Sequence, residues 1–448
     1  MTSAPHAETA SEATMRIESI AAGGDGVARH EGLVVFVPRS APGDLARVRY
    51  ELHGRLARGE IVELLEPGPG RIDPPCPHYR DDRCGGCQLQ HLDEEHQRAA
   101  KRRIVSDALE RIGRRRVDLP PVRASARAWR YRRKLTLALR RDAGSRWIAG
   151  LHPYDDPARV FDVHDCPITD EAVLRVWDDV RRHAELLPRA LSLRGSVRVA
   201  EVMDAGDVGA VASAANAIDA SHGATPTNAP AASLVLEGGE RWPESERFFA
   251  ALPKLSALWW APEGKRRRLL HARGDAPPGA SFAQVNPEVA AAVRRHVIEI
   301  LAAHAPATVV DAYAGLGDLA SELAAGGATV TSIEADADAA RWSASRLTPP
   351  SRSIAGRVEN HLAHVLPADA VVLNPPRAGV DAAVTRALQH APRAPRVVVY
   401  VSCNPATLAR DLARMPRYRI ASVSAFDMFP QTAHVETVCA LVPEEGAS

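Results

Sequence analysis

From residue 281 onward, short apolar runs alternate with stretches whose apolar residues recur every three or four positions. ATVVDAYAG, TVTSIEA, DAVVLNPP and RVVVYVSC read as strands, and the segments between them as helices. Val289, Val293, Val297, Ile300 and Leu301 repeat at helical spacing behind Asn286 and Pro287, a capping residue followed by a first-turn proline. Strands alternating with helices predict a parallel, doubly wound α/β sheet, which takes its ligands at the carboxyl ends of the strands. Residues 15–67 follow another rhythm. RIESIA, GLVVFVP, LARVRYEL and ARGEIVELL are separated by turn signals, and this spacing predicts a small five-stranded β-barrel with four visible strands.

The Pro/Gly cluster at residues 66–70 marks a boundary, and a helical stretch covers residues 93–112. A mixed, basic region with strand patterning (KLTLALR, RWIAGLHP) then runs to about residue 280. Within it, residues 205–232 are rich in Ala, Ser, Gly and Asn without periodicity, and read as a surface loop or disordered insertion. The expected organisation is a tail at 1–14, a barrel at 15–67, a central domain at 68–280 and an α/β domain at 281–448.

At 448 residues, with 46% hydrophobic and 25% charged residues, the chain has the composition of a globular protein of more than one domain. No apolar run approaches a membrane span, and the N-terminus lacks the basic start and apolar core of a signal peptide. The expected compartment is the cytoplasm. Net charge is +1, but residues 98–146 hold 17 Lys or Arg against 4 Asp or Glu, and Lys265, Arg266, Arg267 and Arg268 form a second cluster. Such a run is most often a solvated face. Trp129, Tyr131 and Trp147 lie among these cations, and stacking rings beside phosphate-seeking charges suit single-stranded RNA.

Four motifs sit at strand ends. DAYAGLG begins at Asp311, where the glycines allow close approach of a ligand and the acid can orient a polar group. Glu334 ends the next strand, a place where a carboxylate takes ribose hydroxyls. Ala320 replaces the last glycine of a phosphate cradle, which favours S-adenosylmethionine over a dinucleotide, although nicotinamide enzymes share the arrangement. Asn374, Pro375, Pro376 and Arg377 close the third strand; the arginine stands where amine methyltransferases place a stacking aromatic ring. Ser402, Cys403, Asn404 and Pro405 close the fourth, with Asn404 and Pro405 opening a helix. A helix N-terminus lowers a thiol pKa and favours the attacking thiolate, whereas the bland alternative is a buried small hydrophobe. Cys439, inside an apolar run, is assigned to the core.

CPHYRDDRCGGC gathers Cys76, Cys84 and Cys87, and Cys166 stands alone downstream. The set suits either zinc or an iron–sulfur cluster.

Together these motifs resemble the RNA 5-methyluridine methyltransferases, specifically the iron–sulfur members with an N-terminal TRAM domain. The likeness rests on CGGCQLQH (84–91), WRYRRK (129–134), FAQVNP (282–287), NPPRAG (374–379), YVSCNPATLARD (400–411) and DMFPQTAHVE (427–436). It spans nearly the whole chain past the tail. It implies a Rossmann-like methyltransferase domain, an RNA-binding TRAM barrel of OB-like form, and a central α+β domain whose 4Fe–4S cluster is held by Cys76, Cys84, Cys87 and Cys166. By the same likeness Gln284, Tyr313, Glu334 and Asn374 bind S-adenosylmethionine, Cys403 is the nucleophile and Glu436 the general base. The implied substrate is a uridine of large-subunit (23S) ribosomal RNA, and the expected protein is a monomer. Three features depart from the family pattern: the loop AYAGLGDLA, Asn374 in place of aspartate, and the stretch 335–368.

Three rival readings stand beside this one. A transfer-RNA uracil-C5 methyltransferase shares the chemistry. A cytosine-5 methyltransferase also adds a thiolate to a pyrimidine, but usually carries it after proline, whereas Cys403 follows Ser402. An RNA-binding iron–sulfur protein with a decayed methyltransferase domain would not bind S-adenosylmethionine.

Overall fold

A computed structural model describes residues 11–142, 144–199, 232–274 and 284–444. The chain forms two compact units, one of residues 1–129, 152–157 and 281–448, the other of residues 130–151 and 158–280. The first unit opens with a closed barrel of β1 (Ser11–Ile20), β2 (Gly26–His30), β3 (Leu33–Val37), β4 (Leu45–His53) and β5 (Leu56–Glu66), in the order β1-β2-β3-β5-β4. Alternate residues point inward, so Met15, Ile17, Ala28, Val35, Val37, Val48 and Ala57 fill the interior. The strand that escaped sequence reading is β2, whose GVARH lacks a β-branched run. Its glycine is required, because a Cβ at Gly26 would stand 1.9 Å from Ser40 Oγ. The expected tail is also shorter than residues 1–14, since Ser11 to Thr14 already pair with β4. Residues 1–10 lie outside the described set.

The second unit is a seven-stranded sheet of β6 (Lys134–Arg141), β7 (Trp147–Leu151), β8 (Phe161–Asp162), β9 (Ser192–Val199), β10 (Ala232–Glu237), β11 (Leu255–Ala261) and β12 (Arg268–Ala272). Its order is β12-β11-β10-β9-β6-β7-β8. Helices Glu171–Arg182 and Ser245–Ala251 bury Trp177, Val173 and Phe248 against Leu135, Leu137 and Val197. Gly195 makes room for this packing: a Cβ there would lie 2.6 Å from the Trp177 ring. The expected insertion at 205–232 falls outside the described residues, except that Ala232 begins β10.

The first unit also holds a larger sheet of β13 (Thr308–Ala312), β14 (Thr329–Glu334), β15 (Arg352–Ala355), β16 (Ala370–Leu373), β17 (Val397–Ser402), β18 (Tyr418–Phe426) and β19 (Glu436–Pro443). The order is β15-β14-β13-β16-β17-β19-β18. Every residue of β16 and β17 is buried, as expected for central strands with both faces covered. The expectation of an all-parallel sheet is corrected at one side, where β19 runs antiparallel to both β17 and β18. Asn286 caps helix Pro287–Ala303, its side chain accepting from Val289 N–H. Helix Glu94–Arg111 starts at Asp93, as residues 93–112 predict, and buries Val105 and Leu109 in one core with Leu408 and Leu412. Cys439 is fully buried, as assigned. No helix of the described residues is long and apolar enough to cross a membrane.

Candidate active site

Parallel strands end on one side of their sheet, and four motifs meet there. In the order β14, β13, β16, β17 this edge carries Glu334, then Tyr313, Asn374 and Cys403, each at or just past the end of its strand. Because β19 runs the other way, its first residue, Glu436, starts at the same edge. Ser402 pairs with Thr437, so the ladder sets Glu436 level with Cys403.

The turn after β13 is tightly wound. Tyr313, Gly315 and Gly317 all have positive φ (64°, 58° and 78°), and a Cβ at Gly317 would stand 2.2 Å from Ser343 Oγ. Glu334 braces it, one carboxylate oxygen accepting Gly315 N–H at 2.8 Å and the other Asp336 N–H at 2.8 Å. Each oxygen keeps a second acceptor position for a hydroxyl. Beneath the turn, Asp311 is buried, and among the described residues its Oδ2 has no hydrogen-bond partner. Burial pushes its pKa up to about 7 against a backbone N–H from Ala320, with Glu334 and Asp318 adding to the rise. Burial also raises the Tyr313 hydroxyl, helped by Glu359, Asp381 and Asp411, so it stays protonated. Asn374 donates its N–H to Ala312 O at 3.3 Å, and Gln284 lies two residues before the Asn286 cap, half-buried. A wound glycine turn, a buried acid whose Oδ2 has no partner among the described residues and a fully buried Ala320 suit a ligand without a phosphate at the turn. This donor set fits S-adenosylmethionine.

Cys403 is partly exposed at the N-terminus of helix Pro405–Ala413, which Asn404 caps by accepting Ala406 N–H. The helix terminus does not decide the thiol pKa, contrary to the sequence expectation. Burial raises it, the Glu436 carboxylate raises it further, and the opposing Arg377 and backbone N–H do not compensate. Arg377 is the residue that sequence reasoning missed: its guanidinium acts to lower the Cys403 thiol pKa, and its charge also acts on Glu436. Its carbonyl is held by Asn404 Nδ2 at 3.1 Å and Thr407 Oγ1 at 3.3 Å, from the turn that carries Cys403. The only sequence signal was a cation after Asn-Pro-Pro. Glu436 is 1% exposed, its Oε2 has no partner among the described residues, and burial pushes its pKa up to about 8.

The cysteine set stands differently. Cys76, Cys84 and Cys87 are buried in the first unit, while Cys166 belongs to the second and is partly exposed. Among the described residues no group of three or more His, Cys, Asp or Glu is gathered to hold a metal ion. The geometry therefore gives the expected cluster no direct support, although the donor chemistry suits it.

Part of the basic run at residues 98–146 is internal scaffold. Lys101 is fully buried against Asp427 at 2.5 Å, and Arg115 donates to the carbonyls of Leu412, Met415 and Tyr418. Arg130 forks onto Asp165 and reaches the carbonyls of Cys166 and Thr169. Tyr131 is fully buried, which excludes the stacking role read for it.

Comparison with known proteins places the chain in a family. The family model described as tRNA (Uracil-5-)-methyltransferase matches residues 355–443. The 23S rRNA (uracil(1939)-C(5))-methyltransferase RlmD of Dechloromonas aromatica is 31% identical, with 94% of this chain and 98% of that protein covered. The enzyme of the same name from Chromohalobacter salexigens is 32% identical, with 98% and 91% covered. In fold, the chain is similar to the tRNA (uracil-54, C5)-methyltransferase of Pyrococcus abyssi, solved in complex with S-adenosyl-L-homocysteine. The TM-score is 0.66 at 21% identity, covering 96% of this chain and 100% of that one.

Proposed function

The chain belongs to the S-adenosylmethionine-dependent RNA uracil-5-methyltransferases, and from that premise we propose that it methylates a uridine of 23S ribosomal RNA through a covalent Cys403 adduct. The observation that carries this reading is the β17–β19 register, which brings a thiol and a buried carboxyl to one sheet edge beside Arg377. Gln284, Tyr313, Glu334 and Asn374 are the proposed S-adenosylmethionine residues, and the cofactor supplies the methyl group.

Carbon 5 of uracil is a poor nucleophile until carbon 6 is substituted. Addition of the Cys403 thiolate at carbon 6 pushes the ring electrons into an enolate, whose carbon 5 can then take the methyl group. Glu436, in its ionised form, removes the carbon 5 proton, the carbon 6–sulfur bond breaks into a new ring double bond, and the thiolate leaves. General-base help of this kind is worth about 10² to 10⁴ in rate. The uridine has to leave its stack to reach the sulfur.

Arg377 has its effect on the first step. It opposes the burial that raises the Cys403 thiol, so Arg377→Met raises that pKa further. The thiolate is the reactive form above its pKa, so the rising limb of kcat/KM against pH moves to higher pH. At neutral pH the rate drops about tenfold for every pH unit by which that limb moves. A limb left in place removes Arg377 from the mechanism.

Large-subunit ribosomal RNA as substrate is supported by relatives of nearly equal length that carry that name. Mapping 5-methyluridine in total RNA with and without the gene tests it. Loss of one 23S modification is expected; loss of a transfer-RNA modification instead would favour the substrate named for the family model and the solved neighbour.

We also propose a structural 4Fe–4S cluster on Cys76, Cys84, Cys87 and Cys166. Support comes from three buried thiols on one short segment, one of which accepts Gly86 N–H at 3.4 Å, a contact that suits a cluster thiolate. No step of methyl transfer runs through it. Anaerobically purified protein is expected to hold about four irons per chain, and Cys84→Ser or Cys87→Ser to lose them along with thermal stability. Stoichiometric zinc without iron removes the cluster.

A further inference from the structure

We infer that Gln97 and Lys101, on one face of helix Glu94–Arg111, are positioning residues for Glu436, clamping the loop that delivers it to the uridine. The inference rests on the assignment of Glu436 as the base.

Residues 427–435 connect β18 to β19, and Glu436 is the first residue past them. Among the described residues Glu436 Oε2 has no hydrogen-bond partner, so nothing at that oxygen ties the carboxylate down. Its place then depends on the packing around it and on its backbone, and the loop leads into that backbone. The loop in turn is gripped at both ends of a short span. Lys101 Nζ donates to Asp427 Oδ1 at 2.5 Å and to Phe429 O at 3.0 Å. Gln97 makes a two-way exchange with Gln431: its Nε2 donates to Gln431 Oε1 at 2.9 Å, and its Oε1 accepts Gln431 N–H at 2.9 Å. Gln431 O accepts the N–H groups of Gln88 and Leu89, at 3.2 and 3.0 Å, from the segment that follows Cys87.

Two features distinguish this from ordinary packing. Gln431 has φ 70°, a left-handed conformation that a residue with a side chain rarely adopts without being held there. The Lys101–Asp427 pair is buried on both sides, and a buried ion pair is a poor stabiliser compared with apolar residues of the same volume. What such a pair does supply is a single registration of helix against loop. The clamp therefore fixes where β19 begins, and with it the carboxylate that must reach carbon 5 after methyl transfer.

A clamp on the base affects elimination and spares addition. The test uses full-length Gln97→Ala and the paired change Lys101→Met with Asp427→Leu, which leaves no unpaired buried charge. Each is mixed with radiolabelled S-adenosylmethionine and total RNA from cells lacking the gene, with Glu436→Gln as reference. First-turnover methylation is expected to stay within about threefold of wild type, while product release slows by about 10- to 100-fold, part of what a general base contributes. A methylated protein–RNA adduct then accumulates on denaturing gels. A merely structural role lowers methylation and adduct together, in step with the loss of folded protein, and that result overturns the clamp. So does free turnover without adduct in the clamp variants while Glu436→Gln traps. Should Glu436→Gln itself trap nothing, the base assignment falls, and the clamp with it.

Discussion

Cys403→Ala is expected to abolish methyl transfer, lowering incorporation of labelled methyl into RNA by at least about 10⁴-fold, because the covalent route is removed altogether. No other described group replaces the sulfur: Cys439 is fully buried inside the β19 ladder, and its thiol is pushed up to about 12. No RNA adduct should form on denaturing gels. The fold should survive, since Cys403 is partly exposed and its helix is capped by Asn404 whatever side chain precedes it. Cys439→Ala is the matching control. It removes a buried sulfur, costs about 1 kcal/mol of stability and leaves methylation in place. Incorporation that persists in Cys403→Ala would end the proposed mechanism.

Glu436→Gln is expected to separate methylation from release. The thiolate can still add and the methyl group can still transfer, but nothing removes the carbon 5 proton. Turnover should drop by about 10² to 10⁴, with the enzyme held as a methylated adduct with RNA. A melting temperature raised at alkaline pH is the expected mark of a folded variant, because burial raises the Glu436 pKa. The folded-state pKa of Glu436, about 8, lies above its ordinary value of 4.5, so the folded protein favours the protonated carboxyl. Its contribution is fully present below pH 4.5 and is lost as pH rises toward 8, where ionising a buried acid costs on the order of 4 kcal/mol. Glutamine keeps the shape and cannot ionise. The variant should therefore melt higher than wild type at pH 8 while turning over far more slowly. Wild-type turnover with no trapped adduct would return Glu436 to a buried strand residue without a chemical role.

The sequence alone determined the elements whose signals are local. Asn286–Pro287 and Asn404–Pro405 announce helix starts because a side-chain oxygen and a missing N–H satisfy a helix terminus from within a few residues. VVVYVS and AVVL announce buried parallel strands because both faces need apolar cover. The candidate thiol was legible at a strand end before a helix start, and the candidate carboxyl through the family resemblance alone. Their meeting was not. Glu436 reaches Cys403 through an antiparallel pairing of β17 with β19, and register between distant strands leaves no local trace. Arg377, Lys101 and Gln97 were hidden for a related reason: each is an ordinary polar residue until the fold sets a partner beside it. The direction in which the Cys403 pKa moves was decided the same way. A helix N-terminus is a local feature and favours the thiolate, whereas burial and the facing carboxylate come from packing, and in this site packing outweighs the helix.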